Sequence, residues 1–332
     1  MRDKTVGCIV ALALSVLVAP VLTAAQTRGK LPVVGVLNPG TSEILSDPKG
    51  VQYAFLQGLR ELGYIEGQTI HLEYRFAEWQ WDRLPALAAE LVQLKPEVIV
   101  TGTGQAMLAA RQATTTIPIV QAVGGDLEEL GLVASLARPG GNITGQSLRD
   151  RELAGKRLEL LKDAVPTITH VAVLIYARGI ASQPYPSAFE AEAQALRVRL
   201  QRVDVGTPEA IDAALATIAT SGANALMIQD NPMFTAHRQR ILDFARTHRL
   251  PTACGVRAYA EAGCLIAYAP DILAMYRRAA VFVDKILKGT KPADLPIELP
   301  HKLELFLNVK TAETLGITLP PSLLRLADEV IK

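Results

Sequence analysis

Short runs rich in valine and isoleucine alternate with stretches whose apolar residues recur at helical spacing, and this alternation constrains the fold more than any other feature. The runs are Val33–Leu37, Ile70–Arg75, Val98–Gly102, Ile117–Val123, His170–Tyr176, Arg199–Val205, Ala225–Asp230, Pro251–Gly255 and Leu265–Tyr268. Helices are expected over Val51–Leu62, Arg83–Leu94, Lys156–Ala164, Pro186–Arg197, Pro208–Thr220, Ala236–Thr247 and Ala274–Leu287. Asp82 stands where an N-cap belongs, and Pro85 falls in the first turn after it. A last strand is expected over Leu303–Val309 and a last helix over Leu323–Ile331. Such alternation predicts an α/β fold of parallel sheets covered by helices on both faces.

The order also repeats. A helix, "PEVIVTGTGQ", a helix and "IPIVQAV" are echoed by a helix, "ANALMIQDNPMF", a helix and "LPTACGV", with Pro118 and Pro251 opening the second strand of each unit. Two similar α/β halves in series fit this better than one continuous sheet, and a length of 332 residues suits about two domains. The joint is placed at Leu136–Gly145, where Pro139, Gly140 and Gly141 stop a preceding helix and turn the chain. A hydrophobic fraction of 49% with 20% charged residues is ordinary for a globular protein, and a net charge of +1 gives no reason to expect nucleic acid or an anionic membrane as partner.

The first residues differ in kind. "MRDK" is followed by the uncharged "CIVALALSVLVAPVL" and then by the small residues of "TAAQ", the pattern of a signal peptide over 1–25, cleaved after Ala25. A membrane anchor is the other reading, but the apolar run is shorter than the ~20 residues a spanning helix needs. Secretion into the periplasm is therefore expected. Cys254 and Cys264 remain after cleavage; in an oxidising compartment they can pair, and a buried pair of free thiols is the alternative.

Parallel sheets hold ligands at the carboxyl ends of their strands. In the first half this singles out Asn38 and Thr41, the turn of Gly102, Thr103, Gly104 and Gln105, and Gly125 with Asp126. At "TGTGQ" the following helix offers unpaired backbone N–H groups and its positive dipole end, so a carboxylate fits there; the bland reading is a tight strand-to-helix turn. Asp126 can hold an ammonium group, or cap a helix over Leu127–Leu136. In the second half Asp230 and Asn231 occupy the matching place, and Arg178, Arg257 and Tyr268 also fall at strand ends. Arg257 can clamp an anion or bridge the halves. Trp79 and Trp81 either roof the cleft and stack on a ring, or divide between packing on the next helix and half exposure.

Other chemistries find little support. The segment from Gly102 to Met107 lacks the third glycine of a dinucleotide fingerprint, and no Gly-Lys-Ser/Thr follows, so no nucleotide cofactor is expected. The five histidines are scattered without metal-ligand spacing, and there is no Gly-x-Ser-x-Gly elbow. Neither a metal nor an enzymatic activity is expected.

Long, ordered segments carry a family resemblance. "FLQGLRELGYIEGQTIHLEYRFAE", "DRLPALAAELVQLKPEVIVTG", "GLVASLARPGGNITG", "GKRLELLKDAVP", "AYAEAGCLIAYAPD", "YRRAAVFVDKILKGTKPADLPIE" and "KLELFLNVKTAETLGI" resemble the ABC-transporter substrate-binding proteins of the TrpX-like family. The resemblance implies a type I periplasmic-binding-protein fold: two Rossmann-like lobes, a three-crossing hinge and a solute held in the cleft. It implies lobe 1 over 31–147 with about 272–295, lobe 2 over 148–271, and a segment over 296–332 that returns across the hinge. It also implies an ABC permease and its ATPase as partners, a monomer, and as ligand an amino acid or related carboxylate, aromatic ones included. A sensor module that presents its closed state to a receptor kinase is the alternative. The loops "LNPGTSEILSDPKG", "YARGIASQPYP", "TACGV" and "EWQW" depart from the family's usual pattern and leave the ligand open.

Overall fold

The structure is a computed structural model that describes residues 30–128, 130–148, 150–177 and 187–332. The expected leader at 1–25 lies outside the described residues, as does Arg178. Two separate sheets are present. The first contains β1 (Val33–Asn38), β2 (His71–Phe76), β3 (Val98–Thr101), β4 (Ile119–Gln121) and β5 (Ile143–Gly145) in the order β2-β1-β3-β4-β5. All its neighbours are parallel, so every strand ends at the same edge. Helices α1 (Val51–Glu61), α2 (Leu84–Gln93) and α3 (Gly104–Ala113) make the crossovers.

The chain then forms α4 (Asp150–Ala164), β6 (His170–Tyr176), α5 (Ser187–Ala195), β7 (Arg199–Val205), α6 (Ile211–Thr220) and β8 (Ala225–Ile228). It continues through α7 (Pro232–Ala236), α8 (Arg238–Thr247), β9 (Thr252–Cys254), α9 (Arg257–Glu261) and β10 (Ile266–Pro270). After α10 (Ile272–Leu287) come β11 (Leu303–Asn308), α11 (Val309–Leu315), α12 (Pro321–Leu326) and β12 (Glu329–Ile331). The second sheet runs β12-β11-β10-β9-β8-β6-β7, with β11 antiparallel to β10 and the other neighbours parallel. This is the two-lobed α/β architecture that the strand–helix alternation predicts. The repeated unit is visible as β3-α3-β4 and β8-α7-α8-β9, each opened by a helix with a side-chain N-cap, Thr103 and Asn231.

Each sheet buries both faces, as its near-continuous apolar strands require. On one face of the first sheet, Val34, Val36, Val98 and Val100 pack with Phe55 and Leu59 of α1 and with Met275, Ala279, Phe282 and Val283 of α10. The other face carries Leu37, Ile99 and Ile119 against Leu87 and Leu91 of α2 and Met107 of α3. Cys254 and Cys264, both buried, are joined in a disulfide between the end of β9 and the start of β10.

Several local expectations give way. The described residues of Leu127–Leu136 form turns and bends rather than a helix, and Asp126 Oδ1 accepts from the Glu128 N–H at 3.0 Å. The Leu136–Gly145 joint contains β5, too short for periodicity to reveal. Asp82 lies inside a 3-10 turn, Trp81–Arg83, and α2 starts after it without a side-chain cap. The predicted terminal helix breaks at Ala327, and the last residues pair as β12 with β11 because Asp328 Oδ2 accepts from the Leu305 N–H at 2.9 Å.

The chain passes between the sheets three times: after β5, between β10 and α10, and between α10 and β11. All three passages meet at Gln146. Its Nε2 donates to the carbonyls of Ala122 at 3.0 Å and Met275 at 2.7 Å, and its backbone bridges to Glu298 of the return passage. Gln121 at the end of β4 donates in turn to the Gln146 carbonyl at 2.8 Å. Arg278 of α10 grips Glu298 with two hydrogen bonds, 2.8 and 2.6 Å. Those bonds, with the charges of Arg278, His301 and Lys285, hold the Glu298 carboxyl below its ordinary range against the opposing effect of burial. A depressed folded pKa means the stabilisation is complete above the unfolded value and is lost as pH falls through the folded one. Glu298→Gln is therefore expected to cost about 1–2 kcal/mol at neutral pH, and the gap to the native chain should close in acid; urea denaturation at both pH values checks this.

Candidate functional site

The carboxyl edge of the first sheet gathers most of the strand-end residues singled out above. Asn38 ends β1, buried, and its Oδ1 accepts from the Gly40 N–H at 2.8 Å, which turns the chain toward Thr41. Thr41 is half-buried and opens the 3-10 turn Ser42–Leu45. Thr103 caps α3, its Oγ1 accepting from the Ala106 N–H at 3.2 Å, so Gly104 and Gln105 present the first N–H groups of that helix. Gly102 also serves packing: a Cβ there would collide with the hydroxyl of Tyr276, the α10 phenol whose pKa burial pushes up. Gly125 accepts from Gln121 Nε2 at 3.1 Å and from Ser147 Oγ at 3.3 Å, which fixes the loop bearing the half-buried Asp126.

The second sheet places its candidates differently. Asp230 follows β8 and forms an ion pair with Arg157 of α4 at 2.7 Å; their side chains are 11% and 3% exposed. Arg157 Nε also donates to the Tyr268 carbonyl at 2.9 Å. Gly255 makes room for this pair, since a Cβ there would overlap both the carboxylate and the guanidinium. Asn231 caps α7 through its Oδ1, which accepts from the Met233 N–H at 2.9 Å. The Tyr268 side chain packs against the cluster that includes Leu158 and Leu305. Arg257 turns outward: it pairs with Glu261 at 2.9 Å and Glu329 at 2.8 Å, and its guanidinium lies 5.0 Å from the Phe306 ring centroid. Its charge is thus compensated by its own helix and by β12.

Arg157 was not among the residues singled out from sequence, yet the signal was there. Leu153, Arg157, Leu160 and Leu161 share one stripe of α4, so a cation falls on the apolar face of a helix. A buried charge at such a place needs a partner. Gln121 and Gln146 were missed for a similar reason, since a glutamine closing an apolar run carries no motif.

The two carboxyl edges meet through aromatic rings. Trp81, in the loop after β2, lies against Tyr176, the last residue of β6, with ring centroids 4.8 Å apart and planes tilted by 43°. Both are buried, in one cluster that joins Leu37 and Leu84 of the first lobe to Leu174 and Ile228 of the second. The Trp81 Nε1–H meets no hydrogen-bond acceptor among the described residues. Trp79 is half-buried and lies over Gly40. The loop is held by backbone bonds from Glu78 N to Gly40 O at 2.9 Å and from Trp79 N to Pro39 O at 2.7 Å. Glu78 and Trp79 adopt φ of +53° and +62°, a left-handed conformation that costs about 1–2 kcal/mol per residue. Of the tryptophan pair, Trp81 is thus packed in the core and Trp79 is half exposed.

Among the described residues no group of three or more His, Cys, Asp or Glu side chains is arranged to hold a metal ion. No described helix is long and apolar enough to cross a membrane. A groove of about 550 Å³ on the α1–α10 face, lined by Tyr53, Gln57, Leu273 and Arg277, includes none of the strand-end residues.

The family model described as "ABC transporter substrate binding protein" matches residues 45–331. A tyrosine-binding protein of Clostridioides difficile (strain R20291) is 22% identical over 282 residues, 84% of this chain and 81% of that protein. A conserved domain protein from Vibrio cholerae superposes with a TM-score of 0.82 at 23% identity, covering 91% of this chain and 100% of the other. The ABC domain from Streptococcus pneumoniae, in complex with L-Trp, superposes with a TM-score of 0.81 at 24% identity over the same shares.

The Arg157–Asp230 pair makes a prediction of its own. Arg157→Met removes the counter-charge 2.7 Å from a nearly buried carboxylate and should cost about 3–5 kcal/mol, whereas Arg157→Met with Asp230→Leu should recover most of that loss. Chemical denaturation of the two variants measures both values.

Proposed function

Because this chain belongs to the ABC transporter substrate binding protein family, a family of binding proteins rather than catalysts, we propose that it captures an aromatic amino acid or a closely related carboxylate between its lobes and delivers it to a membrane permease driven by an ATPase. The observation that carries the ligand class is the meeting of the two carboxyl edges at Trp81 and Tyr176. A ring is the natural cargo of a cleft closed by rings, because stacked and tilted aromatic pairs gain beyond the area they bury. The names of two relatives, one tyrosine-binding and one in complex with L-Trp, support the same class.

In this reading the ligand carboxylate lies at the Gly102–Gln105 turn, where the α3 N–H groups and the helix dipole favour an anion. Its ammonium group faces Asp126. Asn38, Thr41 and Gly125 shape the first-lobe wall, and Asp230, Asn231 and Tyr268 that of the second; Arg178 is assigned to the same wall, from sequence alone. Lobe 1 comprises 31–147 with about 272–295, lobe 2 comprises 148–271, and closure about the Gln146 junction traps the solute. Contacts made by both lobes favour the closed state by as much as they differ between states. The protein works as a periplasmic monomer after removal of 1–25.

Thermal denaturation of the chain lacking 1–25, against L-tryptophan, L-tyrosine, L-phenylalanine and a panel of small acids, tests the proposal. A ligand at 100 times its Kd should add about 2.7 kcal/mol. Asp126→Ala should abolish that gain while the unliganded variant still unfolds cooperatively, at a melting temperature lowered by the lost turn cap. A normal gain in Asp126→Ala refutes the assignment of the ammonium site.

A further inference from the structure

We propose that the Trp81 indole is the element that makes the cleft select for rings: it fills the ring-binding place on Tyr176 and yields that place to the ring of an incoming ligand. This rests on the binding function proposed above and adds the residue that sets its specificity.

Three observations carry the inference. First, Trp81 and Tyr176 make the ring contact that spans the two lobes among the described residues; Tyr74–Phe76 and Phe244–His248 each lie within one lobe. Trp81 therefore stands where a solute held by both carboxyl edges would stand. Second, its burial is incompletely satisfied. The residue is 6% exposed and its Nε1–H has no acceptor among the described residues. A buried donor left without a partner forfeits its hydration, so a position of the indole that restores a partner recovers that loss. Third, the segment that carries it is strained and short. Glu78 and Trp79 are consecutive left-handed residues just before it. Trp81 itself begins a three-residue 3-10 turn that has no side-chain cap. Strain of this kind is released when a loop rearranges.

The exchange explains selectivity. A ligand ring that displaces the indole keeps Tyr176 covered, so an aromatic contact is replaced by another. A ringless amino acid leaves the side of Tyr176 that the indole covers without a ring if Trp81 departs, and finds the place filled if Trp81 stays. Discrimination then comes from what the ligand must displace, as well as from what it touches.

The chain contains two tryptophans, so Trp79→Phe leaves Trp81 as the only indole reporter. Emission excited where tyrosine does not absorb, with acrylamide quenching, reads its exposure, while calorimetry reads binding independently. The probes are L-tyrosine and L-phenylalanine, with L-leucine as the ringless control. Binding of an aromatic probe should shift Trp81 emission to the red and raise quenching several-fold, and L-leucine should do neither. Calorimetric binding with Trp81 emission and quenching unchanged overturns the exchange and leaves the binding function intact. If no aromatic amino acid, L-tryptophan included, binds the native chain, the same titration of Trp81→Ala decides, with Trp81→Leu used should the alanine variant fail to fold. Binding gained there, and absent in Trp81→Phe, shows a Trp81 that holds its place without yielding it, which overturns the exchange. No binding by any variant refutes the aromatic ligand class and the exchange together.

Discussion

The side-chain amide of Gln146 ties together the only region where all the connections between the lobes coincide among the described residues. Its Nε2 reaches the carbonyl of Ala122 beside β4 and that of Met275 in α10, and its main chain pairs with Glu298. A buried amide with both protons engaged is costly to disturb, because either carbonyl left behind would be unsatisfied away from water. The carboxyl edge of the first sheet inherits its geometry from this junction. Gln121 shares the Gln146 carbonyl and also holds Gly125, so the loop bearing Asp126 is registered to the junction itself.

The second lobe uses charge for a similar purpose. Asp230 stands at a place where a free carboxylate would face the cleft, but Arg157 balances it from below and Gly255 gives the pair its space. The pair also anchors the Tyr268 carbonyl, so β8, β10 and α4 are held in one arrangement. Asp230 is therefore one half of a compensated pair rather than a bare negative charge. In the first lobe Asp126 lies on a loop, where its Oδ1 accepts from the Glu128 N–H.

Much of this was legible in the sequence, for physical reasons. Strands such as His170–Tyr176 and Arg199–Val205 match their predicted bounds because runs of strand length set between helical patterns admit few other readings. Thr103 and Asn231 were found because they follow strands at the edge where parallel sheets hold ligands, and their capping of α3 and α7 is what the structure adds. What was not legible depends on contacts between distant segments. β5 and β12 are strands of three residues, formed because a neighbouring edge is available to them. The outward turn of Arg257 depends on Glu329, which lies in a segment that local patterning assigned to a helix. Trp81 was noticed, but its contact with Tyr176, on the other lobe, has no local signal in the sequence.

The packing of α10 on α1 has a consequence for how the chain matures. Tyr64 donates to Asp284 at 3.0 Å and Arg277 meets Glu61 at 2.6 Å, contacts that span 220 and 216 residues of sequence. Phe55 and Leu59 likewise wait for Phe282 and Val283 to cover them. A chain that emerges amino end first thus exposes the first sheet's apolar face until nearly all of it has appeared. The lobe that begins earliest is completed late, and in the interval its uncovered face is a surface for chaperones to hold.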